Sequence, residues 1–486
     1  MKFIVKLFPE ITIKSAPVRK RFIKQLRKNI RKVLKSADEN IEVTGVWDYI
    51  EVTTSSDDSV LVARVGDLLS YIPGICYWLQ VADYPLTDMD DMLAKAVEAH
   101  KEELAGKTFC VRCQRSGKHE FRSVDVERYV GGGLNQQTEA AGVSLSDPQV
   151  TVRLEIKRDR YFLVQKRGEG LGGYPLGTQE PVLSLISGGF DSTVSSFLTM
   201  KRGIRTHFCF FNLGGHAHEL AVKEVAYYLW NRFGSSHHVR FITVPFEEVV
   251  REILEKVDNS QMGVILKRMM LRAATKVAEE MDLSALVTGE AVAQVSSQTL
   301  TNLAVIDSAT DALVLRPLIT MDKQDIIDTA ARIGTEEFAR NIPEYCAVIS
   351  KNPTTCARKE RIVREEANFD FTVLDEAVKT RRVVSVNDII ADDLTREEVE
   401  VVDTLQHDHV IVDIRHPDEE EIKPFQVPGR EVMHIPFYQL RTRFPELDKQ
   451  KHYLLYCEKG VMSQLHAMHL RDEGHENVGV YQPEGK

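Results

Sequence analysis

Residues 181–200 constrain the fold more than any other stretch. Pro181-Val-Leu-Ser-Leu-Ile186 is a short apolar run entered through a proline, the pattern of a strand buried on both faces of a parallel sheet. Val194-Ser-Ser-Phe-Leu-Thr-Met200 spaces its apolar residues as a helix does and runs into Lys201-Arg202-Gly203, a basic last turn and a glycine stop. Between strand and helix lie Ser187-Gly188-Gly189-Phe190-Asp191-Ser192-Thr193. Two glycines let the backbone come close to a ligand, and the hydroxyls and helix start offer donors to an anion. The loop is a phosphate cradle without the lysine of the G-x-x-x-x-G-K-[ST] motif, so it belongs to another class.

Ser-Gly-Gly-Phe-Asp-Ser resembles the pyrophosphate-binding loop (PP-loop) of adenylating synthetases and thiolases. Those enzymes release pyrophosphate and place AMP on a carbonyl oxygen. The bland alternative is an ordinary glycine-rich turn, and the motifs downstream weigh against it.

At 486 residues the chain exceeds one core, so three or four domains are expected. Met1-Lys-Phe-Ile-Val-Lys lacks a signal-peptide core, and no segment is apolar enough to span a bilayer. The expectation is a cytoplasmic protein without a membrane partner. Seven scattered cysteines imply free thiols, with any disulfide transient and catalytic. Cys110-x-x-Cys113 has no second pair nearby, so a zinc site is not expected and metal ligands stay unassigned. The net charge of −10 opposes bulk attraction to nucleic acid. Residues 1–175, however, hold 27 Lys and Arg against 24 Asp and Glu, leaving −13 for the rest. A basic front half on an acidic body allows a local RNA surface.

In chain order, residues 1–60 read as a strand from Lys2 to Phe8 and a helix from Ser15-Ala-Pro17 to about Leu34. Phe22, Ile23, Leu26, Ile30, Val33 and Leu34 share one helix face. Lys20, Lys24, Arg27, Lys28, Arg31 and Lys35 share the other. That face is either a solvated basic surface or a phosphate-binding ridge. Residues 61–167 hold Phe109–Ser123, a strand with a basic turn at Arg115 and Lys118, then Gly131-Gly-Gly-Leu134 and the strand pair Val150–Val164. They resemble the THUMP domain of RNA-modifying enzymes, which implies tRNA docking through backbone and shape. Residues 168–178 are glycine-rich and read as a linker.

Residues 179–395 alternate strands and helices, the pattern of a doubly wound parallel sheet. The order PP-loop, then Leu-Val-Thr-Gly289-Glu290, then Arg316-Pro-Leu-Ile-Thr-Met-Asp-Lys323 is shared with the adenylating enzymes. The candidates to hold ATP are Leu185, Ile186, Ser187, Gly188, Gly189, Asp191, Ser192, Lys267, Gly289, Gln298 and Lys323. Asp191 is the candidate organiser of nucleotide or metal. Residues 404–483 form a small unit with strands at 410–415, 432–437 and 453–456. The last strand runs into Cys457-Glu458-Lys459-Gly460-Val461-Met462-Ser463 and a helix. A cysteine at a helix start meets amide donors that favour a thiolate or persulfide. With Asp413-Ile-Arg415, this loop resembles that of a rhodanese domain, whose cysteine carries a sulfane sulfur.

The combination resembles the tRNA 4-thiouridine synthetase family in its long form: a ferredoxin-like amino-terminal segment, a THUMP domain, a PP-loop domain and a rhodanese domain. The resemblance implies ATP-dependent adenylation of the 4-carbonyl of uridine 8 and replacement of its oxygen by persulfide sulfur from Cys457, delivered directly or as released sulfide. It also implies that a cysteine of Asn341-Ile-Pro-Glu-Tyr-Cys346 closes a transient disulfide with Cys457. The nearby Cys356 leaves the resolving thiol open, and Cys346 is chosen on the family pattern. ATP with Mg²⁺, tRNA, a cysteine desulfurase as donor and a small sulfur carrier protein of thiazole synthesis follow from the same resemblance. Family members commonly dimerise; the sequence leaves that open. The competing readings are a tRNA 2-thiolation enzyme, an amide-forming PP-loop ligase that needs no rhodanese domain, and an RNA-binding sulfur relay that does not adenylate.

Overall fold

The computed structural model describes residues 1–45, 49–213, 215–342, 352–389, 399–406, 408–415, 417–430, 432–458 and 460–483. They form two compact units, Met1–Pro175 and Leu176–Lys486.

The first unit is one eight-stranded sheet. Its strands are β1 (Lys2–Leu7), β2 (Glu42–Gly45), β3 (Tyr49–Thr53), β4 (Ile75–Pro85), β5 (Thr108–Ser116), β6 (Gly142–Val143), β7 (Val150–Lys157) and β8 (Arg160–Glu169). They lie in the order β2-β3-β1-β4-β8-β7-β5-β6. A short α1 (Pro9–Thr12) precedes α2 (Ala16–Leu34), and α3 (Ser59–Ser70), α4 (Met89–Leu104) and α5 (Ser123–Gln137) follow. The helix expected from Ser15-Ala-Pro17 starts where its proline requires, in the first turn. Ile23, Leu26, Ile30 and Leu34 bury its apolar stripe with Phe3, Val5 and Trp78 of the sheet, while Phe22 packs with Ile11 and Tyr174. A second core under α4 and α5 joins Leu93, Ala96, Val130 and Leu134 to Phe109, Val152 and Leu163. β4 pairs antiparallel with both β1 and β8, so the ferredoxin-like and THUMP segments share one sheet.

Residues 168–178 do not begin as a free linker. β8 reaches Glu169, and a Cβ on Gly168 would lie 2.2 Å from the Trp78 ring. A Cβ on Gly170 would lie 2.4 Å from the Ile75 carbonyl oxygen. These glycines let the chain pass directly against β4.

The second unit holds two sheets. The larger comprises β9 (Gln179–Leu185), β10 (Ile204–Asn212), β11 (Arg240–Pro245), β12 (Ala285–Val287), β13 (Leu313–Leu315) and β14 (Arg382–Ser385), in the order β13-β12-β9-β10-β11-β14. All neighbours are parallel except the edge strand β14, which runs against β11. Around it lie α6 (Phe190–Lys201), α7 (Gly215–Leu229), α8 (Glu247–Lys256), α9 (Met262–Glu280), α10 (Leu300–Asp307), α11 (Lys323–Ile333), α12 (Glu336–Asn341), α13 (Lys359–Glu366) and α14 (Phe371–Lys379). The chain winds β9-β10-β11 to one side, then crosses to β12 on the other. That reversal opens a crevice at the carboxyl ends of β9 and β12. The smaller sheet is all parallel: β15 (Val401–Val402), β16 (His409–Asp413), β17 (Val432–His434), β18 (His452–Tyr456) and β19 (Val478–Tyr481), in the order β15-β19-β18-β16-β17. No helix among the described residues is long and apolar enough to cross a membrane.

Gly170→Ala is expected to destabilise the first unit by about 1–3 kcal/mol, because the atom it strikes is backbone and cannot turn aside. Urea unfolding checks this; an unchanged midpoint would contradict the packing.

Candidate active site

The carboxyl ends of β9, β10 and β12 open into a cavity of about 460 Å³. The PP-loop forms its floor. The Ser192 hydroxyl accepts from the Ser187 N–H at 3.1 Å and donates to the Gly189 carbonyl at 3.1 Å, closing the loop on itself. Gly188 takes φ +85°, and a Cβ there would meet Ile342 Cδ1 at 2.5 Å. The start of α6 leaves backbone N–H groups without acceptors inside the helix, which favours an anion there. A Cβ on Gly289 would lie 2.6 Å from the carbonyl carbon of Asp191, so the segment after β12 and the start of α6 touch backbone to backbone.

Charged groups are paired around this floor. Asp191 accepts from Lys323 Nζ at 2.8 Å and from Gln294 Nε2 at 2.7 Å. Glu290 accepts from Lys267 Nζ at 2.8 Å through one oxygen and from Arg316 Nε at 2.8 Å through the other. Burial alone would raise the Glu290 carboxyl, but Lys267 and Arg316 outweigh it and hold it below its ordinary range. His218 is buried edge-on to Phe210, with ring centroids 4.9 Å apart. Burial pushes its imidazole down toward the neutral form, against a hydrogen bond to the Ser187 backbone. Gln298 lines the cavity, and its amide oxygen is buried without a hydrogen-bond partner among the described residues. An acceptor left so is expensive unless a ligand donates to it.

The second reactive group lies at the end of β18. Cys457 Sγ accepts from the Ser463 N–H at 3.3 Å, at the start of the helix Val461–Asp472. Gly460 takes φ +73° to make the turn, and its carbonyl accepts from the Ser463 hydroxyl at 3.0 Å. The expectation of a thiol poised as thiolate meets a correction. Burial raises the Cys457 thiol, and the hydrogen bonds from Ser463 and Met462 do not offset it in this arrangement. Asp413 and Arg415 are buried as a pair, with Nη2–Oδ2 at 2.6 Å, and Arg415 also donates to the Lys423 carbonyl. They brace the loop end of the sheet and do not touch the sulfur.

Four family descriptions match along the chain: a ferredoxin-like domain at residues 2–77, a THUMP domain at 87–164, "Thiamine biosynthesis protein (ThiI)" at 177–371 and a rhodanese-like domain at 398–482. The chain is 60% identical to the tRNA sulfurtransferase of Azotobacter vinelandii, over 99% of this chain and 100% of that protein. It is 58% identical to that of Salmonella typhimurium, over the same shares. This chain belongs to the tRNA sulfurtransferase family. Among solved structures, a 4-thiouridine synthetase in complex with RNA and ATP matches at TM-score 0.70 and 26% identity, covering 79% of this chain and 99% of that one.

The sulfurtransferase fold gathers most residues singled out from the sequence. Leu185, Ile186, Ser187, Gly189, Asp191, Ser192, Lys267, Gly289 and Gln298 line the cavity. Gly188 shapes the loop, and Lys323 reaches the site through Asp191. Glu458 pairs with Lys423 at 3.1 Å, away from the sulfur. Cys346, Lys459 and the side chain of Val461 lie outside the described residues. In the first unit, Lys20, Lys24 and Lys28 are exposed on α2. Arg31 instead donates to the Val43 carbonyl at 2.8 Å, and Arg27 lies half-buried against Gly45. Arg115 is held by His119 at 3.0 Å beside exposed Lys118, at the far end of the sheet from α2. The basic candidates thus form two groups. Sequence reasoning gave no role to Glu290, Gln294, His218 or Arg316. Only the charge pairing of Glu290 with its neighbours had a signal, since the stretch carrying it was already marked.

The lining does not by itself build a metal site. Its two carboxylates, Asp191 and Glu290, are engaged by Lys323 and by Lys267 with Arg316. No cluster of three or more metal-ligating side chains occurs among the described residues. No step is therefore assigned to Mg²⁺.

Glu290→Gln leaves Lys267 without its counter-charge and Arg316 with Asp307 alone, at a cost of about 3 kcal/mol. The sign of its pH dependence follows from the depressed carboxyl. Its contribution is full above the ordinary glutamate value of about 4.3 and is lost as pH falls toward the folded-state value. Thermal unfolding from pH 7 to 3 is expected to show a wild-type loss that Glu290→Gln lacks.

Proposed function

We propose that this enzyme adenylates the 4-carbonyl of uridine 8 in tRNA and exchanges its oxygen for sulfur carried on Cys457, giving 4-thiouridine. The observation that carries the reading is a PP-loop cavity and a cysteine at a rhodanese-type loop within one unit. The ATP and RNA bound to the related 4-thiouridine synthetase support it.

ATP lies with its phosphates on the amides of Gly188–Ser192 and its base toward the unpartnered Gln298 oxygen, where an exocyclic amine can donate. Lys267 and Lys323 take the charge of the leaving pyrophosphate, with Lys323 moving from Asp191 onto it. Uridine O4 attacks the α-phosphorus, pyrophosphate departs with the bond electrons, and the N3 proton is lost. The terminal sulfur of a Cys457 persulfide then attacks C4, AMP leaves, and uridine is held as a C4–S–S–Cys457 adduct. Cys346 attacks the Cys457 sulfur, forming a disulfide and releasing 4-thiouridine with its proton restored at N3. Cellular thiols supply two electrons to reopen the disulfide.

Adenylation is the central requirement. A carbonyl oxygen is a poor leaving group, and AMP makes it a good one. A cysteine desulfurase loads the persulfide in the cytoplasm, and the same sulfur serves a small carrier protein of thiazole synthesis. The exposed lysines of α2 and Lys118, with Arg115, hold the tRNA backbone, and the domain divisions expected from the sequence separate RNA docking from chemistry. Whether two copies act together is not needed for any of these steps.

Asp191→Ala is expected to abolish ATP–pyrophosphate exchange while Cys457 still loads a persulfide, and Cys457→Ser to do the reverse. Loss of both functions in either variant would contradict the division of labour. Reversing Lys20, Lys24 and Lys28 to Glu should weaken tRNA binding and lower its log–log salt slope by about one unit per lost contact. Unchanged binding would remove α2 from the RNA surface.

A further inference from the structure

α7 is buried along its length: every described side chain from His218 to Leu229 is buried. A helix covered on one side by its sheet reaches that state only when a second body covers the other. Inward, Glu219 pairs with fully buried Lys223 at 3.0 Å and accepts from Thr243 of β11. Outward, the helix Val461–Asp472 of the rhodanese domain packs on it. Its His466 Nδ1 lies 3.6 Å from Glu224 Oε1, with both side chains 7% exposed. The helix Phe437–Arg443 packs on α12 in the same way. The Phe437 ring sits between Tyr228 and Phe338, at centroid distances of 5.6 and 5.3 Å, and all three are buried.

This seat places the sulfur-bearing loop. Cys457 accepts from the first turn of the helix that lies on α7. Burial raises the Tyr227 hydroxyl, and Cys457 and Glu419 act on it in the same direction. Tyr227 is nine residues along α7 from His218, which lines the nucleotide cavity. At 1.5 Å per residue that is about 13 Å. α12, the other half of the seat, ends one residue before Ile342, also in the cavity wall.

We propose that the outer face of α7 and α12 is a docking seat for the chain's own rhodanese domain, and that sulfur from Cys457 is used at the cavity of the same chain, not at that of a second copy. The inference rests on the function proposed above. A tethered donor works at an effective concentration near millimolar, whereas a donor on another chain depends on protein concentration.

The test mixes two inactive full-length variants, Asp191→Ala and Cys457→Ser, with ATP, tRNA, cysteine and a cysteine desulfurase, beside wild type. At micromolar protein the mixture is expected to form 4-thiouridine roughly a hundredfold more slowly than wild type. A mixture within a few-fold of wild type would overturn delivery within one chain. The seat has its own readout. Phe437→Asp should speed hydrogen exchange in α7 and cut thiolation roughly tenfold, the factor about 1.4 kcal/mol makes, while persulfide loading on Cys457 is kept. Glu224→Lys, which lies outside the rhodanese domain, should do the same if Phe437→Asp loses loading through misfolding. Unchanged α7 exchange in both variants would overturn the seat. Wild type that never thiolates tRNA, while α7 exchange responds, would overturn the proposed function and support the seat.

Discussion

The segment that follows β12 meets the first turn of α6 with no side chain between them. A Cβ at Gly289 would intrude to 2.6 Å on the backbone of Asp191. That contact sets where α6 begins relative to β12, and so where the loop amides, the Asp191 carboxylate and Lys323 converge. The crossover from β11 to β12 creates the crevice. The glycine makes it narrow enough for one backbone to position the other.

Charge is handled in two ways in this unit. Where burial is complete, each ion has a partner of opposite sign: Lys223 with Glu219, Arg268 with Glu366, Arg415 with Asp413. Such pairs contribute orientation more than stability, because desolvation offsets much of their attraction. Around the cavity the Glu290 pairs are largely buried, while the Lys323–Asp191 pair is open to solvent and exchangeable. Lys323 is 42% exposed, so moving from Asp191 to a phosphate costs little. The thiol is the exception. Cys457 has amide donors but is also desolvated, and desolvation prevails. A persulfide, more acidic than a thiol, keeps the donors' benefit at that place.

Much of the site was legible because its chemistry is local in sequence. The PP-loop and the Cys457 loop are strand-to-helix turns, each read from a few consecutive residues whose spacing dictates the turn. Gly289 and Lys323 were found through motif order. Glu290, Gln294 and His218 were not, since their roles come from partners up to 103 residues away in the chain, as for Gln294 with Asp191. The glycines at 168 and 170 were read as part of a linker; they are there for contact with β4, which lies some 90 residues earlier.

The sequence by itself determined the kinds of element, the two reactive loops and the basic stripe of α2, because each depends on residues within one or two turns. Tertiary structure decided what those elements face. It turned Arg31 back onto β2, merged two amino-terminal segments into one sheet and enclosed α7 between a sheet and a second domain. The reason is that burial and charge pairing depend on three-dimensional neighbours, and a linear pattern records only which residues could be buried, never which surface covers them.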